Sequence, residues 1–131
     1  MTRKNVLTAL YSSTVLGLFL PWFNLGTDLS DSHALNYIFS PLTVWIIISG
    51  ILLFLPGNSK GQVISTFAFL SLIPLTCLYY FLTWHMLLLT GEANIIHSLA
   101  SKHYGFFLTF VSSLILVMVY CVNMLKMDLE N

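Results

Sequence analysis

Residues 61–91 read GQVISTFAFLSLIPLTCLYYFLTWHMLLLTG, a stretch without a single Asp, Glu, Lys or Arg. An α-helix rising about 1.5 Å per residue needs roughly 20 residues to cross a hydrocarbon layer about 30 Å thick, and this run exceeds that length. Inside lipid each backbone N–H and C=O must find its partner within the segment or in a closed barrel. A barrel strand alternates apolar and polar residues over about ten positions. Segments such as IIISGILLFL (46–55) and LILVMVYCV (114–122) show no such alternation. The reading is a transmembrane helix over about 63–86, with Pro74 as its bend, because proline removes one intrahelical hydrogen bond and crowds the carbonyl four residues back.

The same test extends outward along the chain. Residues 5–25, 32–59 and 103–125 are also free of Asp, Glu, Lys and Arg. With punctuation from Pro21-Trp22, Ser40-Pro41 and Pro56-Gly57, this predicts spans at about 5–23, 37–55, 63–86 and 104–124. The fold class is therefore an all-α integral membrane protein of one domain, residues 1–131, with four transmembrane helices in an up-down bundle. Composition agrees: 57% of residues are apolar and 8% charged, about a third of the charge a soluble domain uses to cover its surface. With no net charge, nothing invites nucleic acid.

Cation placement sets the expected orientation. In a four-span chain Arg3, Lys4, Lys60 and Lys126 share one side and Lys102 lies on the other, which puts both termini in the cytoplasm. The start TRKN followed by an apolar run resembles a secretory signal, but no small-residue cleavage site follows it, so the first helix is read as a retained span. Trp22, Phe23, Tyr37, Phe39, Trp84 and Tyr104 then fall at the outer ends of the spans, as an aromatic belt does. Ile95, Ile96 and Leu99, at helical spacing in the outer connection, allow a short interfacial helix. The expected location is a bacterial inner membrane.

Lipid tails are as apolar as leucine, so helix association rests on close approach of small residues and on hydrogen bonds. Ala9, Ser13 and Gly17 form such a stripe on the first helix, and Gly105, Thr109 and Ser113 form one on the last. The four spans contain no carboxylate or strong cation, which argues against a proton relay or coupled transport by the chain alone. All four histidines belong to the outer side in this topology. A polar outer-face site would draw on Asp28, Asp31, His33 and His97, since histidine and carboxylate together bind zinc or activate water. Their spacing matches no metal motif, and no nucleophile motif or phosphate loop is present. Cys77 and Cys121 fall at different depths, too far apart for a bridge.

No cofactor, no metal and no enzymatic activity are expected. Besides the lipid bilayer, the expected partner is another membrane protein or a second copy of the chain. The functional expectation is a non-enzymatic protein acting through helix packing, as an accessory or assembly subunit of a membrane complex or as an immunity-type binding protein. The alternatives are a small oligomeric transporter or channel lined by residues such as Tyr79, Tyr80 and Asn123, and an outer-face enzyme built on the Asp and His residues.

Overall fold

In a computed structural model of the chain, residues 3–22, 41–56, 59–83 and 104–129 are described. They form four helices and, among the described residues, no strand: α1 (Arg3–Phe19), α2 (Pro41–Phe54), α3 (Lys60–Thr83) and α4 (Tyr104–Leu129). The all-α class of the sequence reading is what the backbone adopts. Two helices, α3 over Lys60–Leu82 and α4 over Tyr104–Leu125, are long and apolar enough to cross a membrane. At 17 and 14 residues, α1 and α2 are shorter. The second expected span began at 37, the third ended at 86 and the first ended at 23, and residues 23, 37–40 and 84–86 lie outside the described set.

Local chemistry explains several helix ends. Pro41 opens α2 at a position whose N–H would have no intrahelical acceptor anyway. Helix α3 begins three residues earlier than its apolar pattern suggested, because Ser59 is an N-cap: the Gln62 backbone N–H donates to Ser59 Oγ at 3.2 Å. Ser59 and Gln62 stand at capping-box spacing, yet the Gln62 side chain does not turn back to Ser59. Its Nε2 donates instead to the carbonyls of Leu52 and Leu55, at 3.3 and 3.2 Å, and so covers the end of α2. Helix α3 continues unbroken through the buried Pro74.

Neighbouring helices run antiparallel. Along α1 and α4, Thr14 meets Ser112 and Pro21 meets Gly105. Along α3 and α4, the Tyr120 hydroxyl reaches the Val63 carbonyl at one end while Phe81 stacks on Phe106 at the other. Trp45 of α2 packs on Phe69 of α3, with Gln62 tying their far ends. Tyr11 links α1 to α2: its hydroxyl donates to the Ile46 carbonyl at 2.7 Å, and its ring stands edge-on to Phe54.

Among the described residues, burial departs from that of a water-soluble protein in what faces outward. Fully or nearly buried positions include Thr14, Ser49, Thr66, Thr109, Ser112 and Ser113, alongside Leu70, Ile73, Cys77 and Leu116. The outward faces carry Val44, Ile47 and Ile51 on α2, Leu75 and Leu78 on α3, and Val111, Ile115, Met118 and Val122 on α4. Met118 is 67% exposed. A soluble monomer rarely displays an apolar patch beyond a few hundred Å², whereas among the described residues the outer faces of α2, α3 and α4 are all lined with large apolar side chains. The buried hydroxyls are satisfied locally: Thr66 donates to the Gln62 carbonyl, Thr14 to Leu10 and Ser113 to Phe110. That arrangement costs little in an apolar surround.

Candidate functional site

Two glycines bring the backbones of α1 and α4 close together. A Cβ on Gly17 would overlap Thr109 Oγ1 and lie 2.9 Å from the Thr109 backbone nitrogen and 3.0 Å from the Gly105 carbonyl oxygen. One on Gly105 would lie 2.6 Å from the Pro21 carbonyl oxygen and 2.8 Å from Leu20 Cβ. The absence of both side chains lets the Gly105 N–H, one of the donors left over at the start of α4, reach the Pro21 carbonyl at 3.1 Å. Around this contact the hydroxyls form a small polar seam. Thr14 Oγ1 and Ser112 Oγ stand 3.0 Å apart, and Thr109 Oγ1 donates to the Thr14 carbonyl at 3.4 Å.

The two expected stripes divide here. Gly105, Thr109 and Ser113 are all buried, and Gly17 meets both Gly105 and Thr109. Ser13 is only half-buried and Ala9 is exposed, with the Ser13 hydroxyl turned to the Ala9 carbonyl at 3.0 Å. Four residues turn a helix about 400°, so each step of four rotates a stripe by about 40°. Helix α4 packs against both α1 and α3 and keeps its stripe covered through that drift, whereas on α1 the drift carries Ser13 and Ala9 off the α4 contact. The inward face of α1 is instead Leu10, Thr14, Gly17 and Leu18.

Trp22 also differs from expectation. The belt pattern places it at the outer interface as an anchor, yet the ring is 2% exposed. Its indole N–H donates back to the Gly17 carbonyl at 2.8 Å, and its ring sits edge-on to Phe106 at 5.4 Å. Residues 20–22 fold back over the helix end, so the indole gives a second, shorter hydrogen bond to a carbonyl that the Leu20 N–H reaches at 3.4 Å.

At the opposite end of the bundle, where α1 and α3 begin and α2 and α4 approach their ends, all four helices surround a cavity of about 630 Å³. Leu7, Leu52, Val63 and Met124 give it apolar walls, and Lys4, Thr8, Gln62, Tyr120 and Asn123 give it polar groups. Further along the bundle axis the interior is closed by Leu70, Ile73 and Leu116, none of them accessible.

Asp28, Asp31, His33 and His97 all lie outside the described residues, as does the stretch containing Ile95, Ile96 and Leu99. Among the described residues no cluster of His, Cys, Asp and Glu is arranged to hold a metal. Cys77 and Cys121 are not joined to each other by a disulfide. Compared with known proteins, the chain matches no family model, no curated protein and no solved structure.

Proposed function

We propose that this chain is a multi-pass membrane protein of four spans, with both termini on the cytoplasmic side, that works without covalent chemistry by packing laterally against another membrane protein. The observation that carries the reading is what the helices turn outward: large aliphatic side chains line the outer faces of α2, α3 and α4, while hydroxyls and glycines join the leucines, isoleucines and aromatic rings of the interior. Lipid is the solvent in which that distribution is favourable.

Helix α1 supplies the face for a partner. Its outward side carries Ala9 and Ser12, with Ser13 half-exposed, before Leu16 and Phe19 restore apolar character. Small and hydroxyl side chains turned to lipid gain little there, whereas against another helix they permit close backbone approach and interhelical hydrogen bonds. The α4 face is built of large apolar residues suited to acyl chains. An accessory or immunity-type subunit fits this division of faces. A solute path through one copy does not, because Leu70, Ile73 and Leu116 close the interior.

Purification in mild detergent through a C-terminal tag tests the proposal. A single membrane protein should accompany the chain at fixed stoichiometry, be lost with Ala9→Leu and Ser12→Leu, and be retained with Met118→Leu. A chain that purifies alone as a stable oligomer and moves solute across liposomes would replace this reading with transport.

A further inference from the structure

We propose that the cavity at the Lys4 end of the bundle is a binding site for one anionic phospholipid, its phosphate held by Lys4 and Asn123 and an acyl chain lying against Leu7, Leu52 and Val63. The volume of about 630 Å³ lies within the range of small-molecule sites and far above that of a bridging water.

Most polar groups lining it are already engaged. Gln62 donates to the Leu52 and Leu55 carbonyls, Tyr120 to Val63 and Thr8 to Lys4. The Lys4 ammonium and the Asn123 carboxamide are the donors that line the cavity without a side-chain hydrogen bond among the described residues. Among the described residues no carboxylate lines the cavity. Arg3, Lys4, Lys60 and Lys126 all belong to this end of the helices by chain position, with Asp128 and Glu130 following Lys126.

A free anion would leave the apolar walls wet, and a zwitterionic lipid would bring a second cation beside the phosphate that Lys4 holds. An anionic amphiphile satisfies both, and basic pockets between helices at a membrane face select such headgroups. The inference rests on lipid surrounding the helices, but it is tested separately from that reading.

The experiment is native mass spectrometry of the whole chain, stripped of lipid in a non-ionic detergent and titrated with phosphatidylglycerol or phosphatidylcholine. One phosphatidylglycerol should bind at least about fivefold more tightly than phosphatidylcholine, and Lys4→Gln should remove that preference. Thr8→Trp, which fills the cavity from an exposed position, should abolish retention of both lipids with the helical circular dichroism unchanged. Equal affinity for the two lipids, or an unaltered preference in Lys4→Gln, would overturn the proposal. So would displacement by glycerol 3-phosphate at the concentration at which the lipid itself competes, since the ligand would then be the phosphate alone. If Thr8→Trp fails to fold, the comparison of wild type with Lys4→Gln still decides the matter.

Discussion

Replacing Gly105 with alanine adds one methyl group where the backbone leaves no room for it. The new carbon would lie 2.6 Å from the Pro21 carbonyl oxygen and 2.8 Å from both the carbonyl oxygen and Cβ of Leu20. Carbonyl oxygens cannot rotate away as a flexible side chain does, so the end of α1 must move off α4. Overpacking of this kind costs about 1–3 kcal/mol. The movement also opens the 3.1 Å hydrogen bond from the Gly105 N–H to the Pro21 carbonyl, which contributes a further ~1 kcal/mol. Together these give a destabilisation of about 2–4 kcal/mol, or roughly 30- to 1000-fold in the folding equilibrium. Gly61→Ala is the internal control, since its Cβ would meet nothing within 4 Å. There the lower backbone entropy of alanine in the unfolded chain should stabilise the protein by a few tenths to about 1 kcal/mol. Reversible unfolding in mixed micelles, titrated with denaturing detergent and followed by circular dichroism, measures both. If Gly105→Ala unfolds within about 0.5 kcal/mol of wild type, the close approach of α1 and α4 is not the contact described, since overpacking alone should exceed that.

Other substitutions probe the remaining ties. Tyr11→Phe deletes the hydroxyl that bonds the Ile46 carbonyl and keeps the ring against Phe54, so the same titration should show a loss of ~1 kcal/mol. Gln62→Leu leaves the Leu52 and Leu55 carbonyls uncovered, and hydrogen exchange should quicken at the end of α2 while the α1–α4 contact keeps its protection. In a chain whose only tryptophan is Trp22, made by Trp45→Phe and Trp84→Phe, the emission should be blue-shifted and resist aqueous iodide, because the indole is buried and bonded to Gly17. A quenched, red-shifted emission would restore Trp22 to the membrane surface.

The helical class was legible because it follows from length and charge alone: runs without charge cannot leave their backbone groups unpaired in lipid, and α3 and α4 have the length that requires. Gly105, Thr109 and Ser113 were visible as small residues, and all three are buried. Ala9 and Ser13 show the limit of spacing, since steps of four drift around a helix until the stripe leaves the contact. Gln62 was a missed signal. Its capping-box spacing after Ser59 marks the start of α3 three residues upstream of the apolar pattern, but its role in covering α2 depends on a neighbour that only the fold brings near. Trp22 looks like any belt tryptophan in sequence, because whether an indole turns outward or folds back depends on which carbonyl the turn brings within reach. The cavity around Lys4 and Asn123 draws one wall from each of four helices, and no local pattern records that convergence.

The most direct test of the account is site-specific cysteine labelling with a membrane-impermeant maleimide in a Cys77→Ala, Cys121→Ala background. In intact cells Ser30→Cys and Ser98→Cys should react from outside, whereas Thr2→Cys, Asn58→Cys and Asn131→Cys should react only after the membrane is opened. Termini that label from opposite sides, or a chain recovered in the supernatant of detergent-free lysed cells, would contradict it.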